Sequence, residues 1–213
     1  MEVRMDGRVA VITGASTGLG LAMAKEFAAS GAWVAMLARK ADALAAAKKA
    51  VTAAAGKTNA KIEVYSCDVS QAKPIADTWG KISNDFGKVD IVVNNAGILR
   101  DVSFHKMTDQ DWTLLQNIHL NGTCAVTQAA WPVLRDKGYG RVIMTTSAAG
   151  IYGNFGQSNY GGAKLAVVGF MNALRLEGQK YNIMMNALAP THEEVITELL
   201  RGCVTSYKQL PLN

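Results

Sequence analysis

The chain has 213 residues, which is enough for one domain with a large core and too few for two full domains. Charged residues make up 18% and hydrophobic residues 49% of the sequence, a balance that excludes an intrinsically disordered chain. The net charge is +5, but lysine and arginine never occur in runs longer than two, so no nucleic-acid partner is predicted, and an anionic cofactor or substrate explains the positive balance.

Cys67, Cys124 and Cys203 lie far apart and form neither a disulfide framework nor a CxxC metal pair. We therefore expect no metal site and a reducing, cytoplasmic location. The N-terminus lacks the apolar core of a signal peptide, and no apolar run approaches the length of a membrane span, so no membrane association is predicted. The C-terminal Pro-Leu-Asn matches neither the SKL nor the KDEL address.

Short β-branched runs alternate along the chain with alanine-rich amphipathic stretches. Six strands are predicted, at Arg8–Thr13, Trp33–Ala38, Lys61–Ser66, Val89–Val93, Arg141–Thr146 and Ile183–Leu188. Five helices are predicted, at Leu19–Ser30, Ala41–Ala55, Gln71–Phe86, Asp109–Arg135 and Gln157–Lys180. Most strands are continuous apolar runs, as in strands covered on both faces. The pattern predicts an α/β fold with a doubly wound parallel sheet in one domain, residues 1–190.

A glycine-rich turn, TGASTGLG at Thr13–Gly20, follows the first strand and opens the first helix. Its glycines permit a tight turn and a close approach of the backbone to a phosphate, which the helix N-terminus also attracts. A plain β–α turn is the alternative, but a second glycine turn, Asn94–Gly97, follows the fourth strand and favours a nucleotide site. No Gly-Lys-Ser/Thr follows, which excludes a Walker A loop.

The end of the second strand distinguishes the two nicotinamide cofactors. NAD sites place an acid there for the ribose hydroxyl, and NADP sites place basic groups for the 2′-phosphate. Here Arg39 and Lys40 follow the strand, with no acid until Asp42. The sequence therefore favours NADP(H) over NAD(H), unless Arg39 is simply a solvated loop residue. Asp68, after the third strand, either accepts the adenine amino group or caps the next helix.

Tyr160 and Lys164 are four residues apart and share one face of a predicted helix. A phenol is a poor base near neutral pH, but a nearby ammonium favours the phenolate. Ser147, just past a strand, is placed to hold a substrate oxygen while Tyr160 donates or removes a proton as hydride is transferred. Lys164 could also reach the nicotinamide ribose.

These motifs fall in the order and spacing of the short-chain dehydrogenase/reductase family, which the chain resembles from about Gly7 to Pro190. The motifs are TGASTGLG, NNAG, the serine of TTSAAG, and YGGAK. The resemblance implies a Rossmann-like fold and an enzyme that interconverts an alcohol and a ketone. Asn94–Pro190 is further similar to the (3R)-hydroxyacyl-CoA dehydrogenase domains of peroxisomal multifunctional enzymes, which implies a 3-hydroxyacyl-CoA substrate and makes a peroxisomal location a second possibility.

The resemblance implies catalytic roles for Tyr160, Lys164 and Ser147. The resemblance and the residue patterns together predict a set of cofactor contacts, of which Arg39 comes from the residue pattern alone: Gly14, Ser16, Thr17, Gly18, Leu19, Gly20, Arg39, Asp68, Val69, Asn95, Ala96, Gly97, Tyr160, Lys164 and Pro190. Acyl-CoA oxidation domains of this kind normally use NAD, with which Arg39 conflicts. An NADPH-dependent 3-ketoacyl or other carbonyl reductase is therefore one alternative, and a nucleotide-binding but weakly active subunit is another.

His119 stands where many family members carry an asparagine that kinks the helix and holds a proton-relay water. A histidine can also pass protons, so His119 is a catalytic candidate, and a packed histidine is the alternative. Asn117 and Asn121 lie on another face of a regular helix and are poor substitutes.

The chain departs from the family pattern after Pro190. The usual Pro-Gly, lid and last strand are expected to be missing, and residues 191–213 to form a divergent or truncated segment. Within it, Thr191 is predicted to cap a short helix that runs to Leu200. We also expect a homodimer or homotetramer, because small and apolar residues crowd the helices after Thr123 and Gly161.

Overall fold

The computed structural model describes residues 4–190, which form a three-layer α/β sandwich around one parallel sheet. The strands are β1 (Val9–Thr13), β2 (Trp33–Ala38), β3 (Ile62–Ser66), β4 (Ile91–Asn94), β5 (Gly140–Thr145) and β6 (Ile183–Leu188). The helices are α1 (Gly18–Ala29), α2 (Ala41–Ala55), α3 (Ala72–Phe86), α4 (Asp109–Gln116), α5 (Gly122–Lys137), α6 (Ala148–Tyr152) and α7 (Ser158–Gly178). The predicted helix from Thr191 and the expected loss of the last strand lie outside the described residues.

The strand order is β3-β2-β1-β4-β5-β6, and every neighbouring pair is parallel. The order reverses between β1 and β4, which leaves a crevice at the carboxyl ends of these two strands. The predicted doubly wound parallel sheet is confirmed. All six predicted strands are present, with ends that shift by at most two residues.

The two faces of the sheet bury separate hydrophobic clusters because successive strand side chains point to opposite sides. Val9 and Val11 of β1 pack with helices α3, α5 and α7, whereas Ala10 and Ile12 pack with α1 and α2. Both central strands are entirely buried. This explains their continuous apolar sequence and makes a rigid platform for the loops at the carboxyl edge.

The predicted helix at Asp109–Arg135 is present as a continuous helical segment, but it is not a regular α-helix throughout. A π-helical turn at Asn117–Asn121 separates α4 from α5, which ends at Lys137. A π turn adds a residue to one turn of helix and so changes which side chains face inward. It buries His119, and Gly122 beyond it packs so close to Val69 that a Cβ would lie 2.7 Å from the Val69 carbonyl oxygen.

The amino edge of the sheet is anchored by a buried carboxylate. Asp90 is fully buried and accepts hydrogen bonds from Lys137, from Arg8 and from the backbone N–H of Val9. Burial raises the pKa of Asp90, but these hydrogen bonds outweigh burial and hold its pKa below the usual value. The carboxylate therefore ties the starts of β1 and β4 to the end of α5.

Candidate active site

A single cleft of about 740 Å³ opens at the carboxyl ends of the strands. All but one of the predicted site residues line it: Gly14, Ser16, Thr17, Leu19, Gly20, Arg39, Asp68, Val69, Asn95, Ala96, Gly97, His119, Ser147, Tyr160, Lys164 and Pro190. Gly18 is the exception. It has a φ of +52° at the start of α1, so its contribution is the shape of the turn.

The glycine turn brings the first turn of α1 close to the end of β4. Gly14 has a φ of +66°, and a Cβ there would lie 2.8 Å from Cα of Ala96. A Cβ at Gly20 would lie 2.2 Å from the carbonyl oxygen of Gly14. Thr17 precedes α1 without a side-chain hydrogen bond to it, so the first N–H groups of the helix have no capping side chain. The result is a bare helix N-terminus at the cleft, suited to an anion.

Asn95 joins the two glycine turns. Its Nδ2 donates to the carbonyl oxygen of Thr13 at 3.0 Å, while Thr13 Oγ1 accepts from the backbone N–H groups of Asn95 (2.9 Å) and Ala96 (3.0 Å). The side-chain amide of Asn95 therefore binds the backbone at the end of β1. The Asn95–Gly97 segment presents mainly backbone to the cleft.

The end of the cleft beside β2 is lined by Arg39 and also by Lys40, which was not among the predicted contacts. Both side chains are exposed, and neither makes an ion pair within residues 4–190.

Asp68 Oδ1 accepts hydrogen bonds from the N–H (3.0 Å) and the hydroxyl (2.8 Å) of Ser70. Asp68 does not cap α3, whose N-cap is Gln71, so that alternative is wrong.

The predicted catalytic side chains meet at the other end of the cleft. Tyr160 lies in the first turn of α7, and Lys164 follows one turn later, with its Nζ 5.6 Å from the centroid of the Tyr160 ring. Lys164 is 4% exposed, and its Nζ donates to the carbonyl oxygen of Thr145 at 2.6 Å. Burial lowers the pKa of Lys164 to about 8. Ser147 precedes α6, where its Oγ accepts from the N–H of Ala149.

His119 lies beneath Tyr160, with the two rings edge to face at 5.1 Å between centroids. Its Nε2 is 2.8 Å from the carbonyl oxygen and 3.3 Å from the N–H of Ile98. We assign the proton to Nε2, which donates to the closer carbonyl oxygen. Burial, and then the Lys164 cation, lower the pKa of His119 to about 4, against the effect of the Ile98 hydrogen bond. The imidazole is therefore neutral near pH 7.

Two buried polar atoms lining the cleft, His119 Nδ1 and Thr145 Oγ1, have no hydrogen-bond partner among the described residues. Buried polar groups normally find partners, so these atoms are suited to a polar ligand or a water. Asn117 and Asn121, in contrast, pair with each other at 2.8 Å. Thr145, Ile98, Leu99 and Ile118 line the cleft but were not predicted, since no motif marks them.

Within residues 4–190, no group of three or more histidine, cysteine or acidic side chains is arranged to hold a metal ion. None of the helices in the described part of the chain is long and apolar enough to cross a membrane.

The family model for short chain dehydrogenases matches residues 8–202. Peroxisomal multifunctional enzyme type 2 of Mus musculus is 43% identical over 205 residues, which cover 92% of this chain and 27% of the mouse protein. The chain thus spans about a quarter of that relative. Acetoacetyl-CoA reductase of Shinella zoogloeoides is 37% identical over 195 residues, covering 92% of this chain and 77% of the reductase.

Two solved structures have the same fold. A metagenomic short-chain oxidoreductase in complex with NADP superposes with a TM-score of 0.85 at 27% identity, covering 92% of this chain and 90% of the other. NAD⁺-bound xylitol dehydrogenase superposes with a TM-score of 0.83 at 30% identity, covering 87% and 70%. The two neighbours hold different nicotinamide dinucleotides, so the fold is compatible with either.

Proposed function

The chain belongs to the short-chain dehydrogenase family, and from that premise we propose that it is an NAD(P)-dependent oxidoreductase that interconverts a secondary alcohol and a ketone. The observation that carries the proposal is the placement of Tyr160 and Lys164 in the same cleft as the glycine turn. One end offers a site for an anion, and the other offers a proton donor beside a cation. Hydride and proton transfer need both ends.

The geometry of the cleft fits a dinucleotide. The uncapped N-terminus of α1 suits a pyrophosphate, and two residues lining the cleft carry buried polar atoms without a partner among the described residues, His119 Nδ1 and Thr145 Oγ1. When bound, the nicotinamide supplies or accepts the hydride. Lys164 donates to a carbonyl oxygen with a single hydrogen bond, which leaves the other N–H groups of its ammonium for a ribose or for the Tyr160 hydroxyl.

Tyr160 is proposed as the acid that protonates the carbonyl oxygen during reduction, and as the base in the reverse direction. The ammonium of Lys164 lies beside it, with Nζ 5.6 Å from the centroid of the Tyr160 ring. Ser147 is proposed to hold the substrate oxygen with its hydroxyl hydrogen, which its bond from Ala149 leaves available. A relay through His119 would use the neutral ring, with Nδ1 as the acceptor, since Nε2 is bonded to Ile98.

For the cofactor we propose NADP(H), with NAD(H) as the alternative. Arg39 and Lys40 line the cleft after β2, and a guanidinium can bind a phosphate with two hydrogen bonds. Asp42, the nearest acid, lies in the first turn of α2 and does not line the cleft.

For the substrate we propose a 3-hydroxyacyl-CoA and its 3-ketoacyl-CoA. The relative from Shinella zoogloeoides supports a thioester, since it is named acetoacetyl-CoA reductase. If Arg39 binds NADP(H) as proposed, the second candidate function is an NADPH-dependent reductase that acts on the ketone. The name of the mouse relative supports a peroxisomal location, and a cytoplasmic location remains the prediction from cysteine usage.

The experiment is a steady-state assay of the purified protein with NADH and NADPH against a 3-ketoacyl-CoA, with Tyr160→Phe as the variant. We expect turnover by the wild type and a fall in kcat of about a hundredfold or more in Tyr160→Phe. Equal rates for the two proteins would contradict the role of Tyr160. Cofactor binding by the wild type without turnover would instead favour the weakly active nucleotide-binding subunit.

We also propose that the chain self-associates. Phe104, Phe155 and Leu165 border a surface groove of about 510 Å³, and all three are more than half exposed. A second copy packed on this face would cover side chains that water otherwise contacts. Ala163 and Val167 of α7 are buried, whereas Leu165 of the same helix is exposed. One face of α7 therefore packs in the core, and another is available to a second copy of the chain.

A further inference from the structure

Two loops flank the catalytic end of the cleft. Residues 98–103 follow β4, and Ile98 and Leu99 of this loop line the cleft. Residues 153–157 precede α7, which carries Tyr160. One backbone hydrogen bond joins the loops, from the N–H of Val102 to the carbonyl oxygen of Gly156 at 2.8 Å. A single half-buried backbone hydrogen bond of this kind would hold the loops only weakly.

Two side chains strengthen the junction. Gln157 Nε2 donates to Asp101 Oδ2 at 3.0 Å, and Asn159 Nδ2 donates to the carbonyl oxygen of Arg100 at 3.2 Å. We refer to these two contacts as the loop clamp. Both donors come from the segment directly before Tyr160, and both acceptors lie in the loop after β4.

The two donor residues of the clamp are buried, which makes the loss of their hydrogen bonds costly. Asn159 is fully buried and Gln157 is 8% exposed. Asn159 Oδ1 accepts from the N–H of Tyr160 at 2.7 Å, and Gln116 of α4 donates to the Asn159 carbonyl oxygen at 3.0 Å. A buried amide that loses its partner suffers the full desolvation penalty. Asn159 therefore holds the loop and the backbone of Tyr160 in one fixed arrangement.

We infer that Gln157 and Asn159 are positioning residues that set the substrate entrance beside Tyr160 by clamping loop 98–103 to the start of α7. The inference rests on the proposed function for the identity of the reaction. The elements proposed to hold the dinucleotide phosphates, the glycine turn and Arg39, belong to β1, α1 and β2. The clamp therefore acts on the ketone or alcohol and leaves cofactor affinity nearly unchanged.

The test reverses the polarity of one clamp contact. Gln157→Glu sets a second carboxylate against Asp101 and breaks the hydrogen bond. Asp101→Asn keeps an oxygen acceptor for Gln157. The double variant, Gln157→Glu with Asp101→Asn, restores the bond with donor and acceptor exchanged. Two readouts are measured for each protein: kcat/KM for a 3-ketoacyl-CoA, and amide hydrogen exchange of peptides covering residues 98–103. Peptides from α2 are the internal reference.

We expect Gln157→Glu to lower kcat/KM about tenfold or more and to speed exchange of residues 98–103, with the dissociation constant of NADPH changed less than twofold. The double variant should recover both readouts. Unchanged exchange in Gln157→Glu, or no recovery in the double variant, would overturn the inference. If Gln157→Glu fails to fold, Asp101→Ala in the exposed loop must give the faster exchange. A wild type without turnover refutes the proposed function, while the exchange data still decide the clamp.

Discussion

At the scale of single residues, His119 and Arg39 line the same cleft in opposite environments. His119 is 2% exposed, lies against Ile98 and Tyr160, and feels the charge of Lys164, whereas Arg39 is exposed. Neighbouring groups determine the hydrogen bonding and the charge of the buried His119 ring. The exposed guanidinium keeps its full set of donors for a ligand, apart from contacts with water.

The pKa of about 4 for His119 in the folded protein, against about 6.5 unfolded, makes stability depend on pH. Between these values the unfolded chain binds a proton that the folded chain does not, so stability rises with pH. The total rise is on the order of 3 kcal/mol and is complete above pH 6.5.

We therefore expect His119→Asn to remove this part of the pH dependence. As the pH falls from 6.5 to 4, the free energy of unfolding of the variant should fall less than that of the wild type. Urea denaturation across this range measures the difference, with the exposed His105→Asn as the matched control. Parallel curves for His119→Asn and the wild type would show that the ring is not buried as a neutral group.

Arg39→Ala tests the cofactor proposal at the same scale. Loss of a guanidinium that binds the 2′-phosphate should weaken NADPH by tenfold or more and leave NADH nearly unchanged, because only NADPH carries that phosphate. Titration of each dinucleotide gives the two dissociation constants. Equal losses of affinity for NADPH and NADH would show that Arg39 does not bind the 2′-phosphate. Lys40→Ala, measured beside it, reports how much of the effect the second cation carries.

At the scale of secondary-structure elements, the interrupted helix between Asp109 and Lys137 differs most from expectation. Its amphipathic pattern predicted one regular helix, and the π turn appears where the close contact between Gly122 and Val69 brings α5 against the loop after β3. Within this turn His119 is buried, while Asn117 and Asn121 bond to each other across four residues. Periodicity in one segment carries no information about such a contact with another.

Two helical glycines, Gly80 and Gly122, allow the effect of helix propensity on stability to be distinguished from the effect of side-chain packing. Gly80 is exposed inside α3 with no atom within 4 Å of a Cβ built on it, so Gly80→Ala should stabilise the protein by up to about 1 kcal/mol. Gly122→Ala gains the same propensity but puts its Cβ 2.7 Å from a carbonyl oxygen, and should destabilise by about 1–3 kcal/mol. Chemical denaturation of the two variants measures both changes. Stabilisation by Gly122→Ala would show that α5 does not approach Val69 so closely.

At the scale of the whole molecule, the sheet separates two surfaces with different character. Its carboxyl edge holds the cleft, while α6, α7 and the segment around Phe104 present an apolar face away from the core. Exposed apolar side chains on this face include Phe104, Ile151, Tyr152, Phe155 and Leu165. A stable interface buries about 800 Å² of each partner, and its core is enriched in aromatic side chains such as Phe104 and Phe155.

We expect Leu165→Glu to shift the protein toward the monomer, because a carboxylate in the centre of an apolar interface is desolvated without a partner. The mass measured by light scattering during size-exclusion chromatography gives the result. Ala54→Glu adds the same charge on the exposed face of α2 and serves as the matched control. A wild type that is already monomeric, or a mass unaffected by Leu165→Glu, would contradict the proposal.

The sequence by itself determined the sheet, its two-sided burial and most of the cleft lining. Continuous apolar strands and glycine turns are local signals, and strand ends that share one edge bring the motifs together without further information. This is why Tyr160, Lys164 and the turn at Gly14–Gly20 could be assigned to one site before their positions were known.

Only the tertiary structure decided the π turn, the neutral state of His119 and the loop clamp. Each depends on contacts between residues far apart in the chain or on burial from water. Hydrogen-bond partners and dielectric surroundings arise from packing, and neither is written in the spacing of residues along one segment.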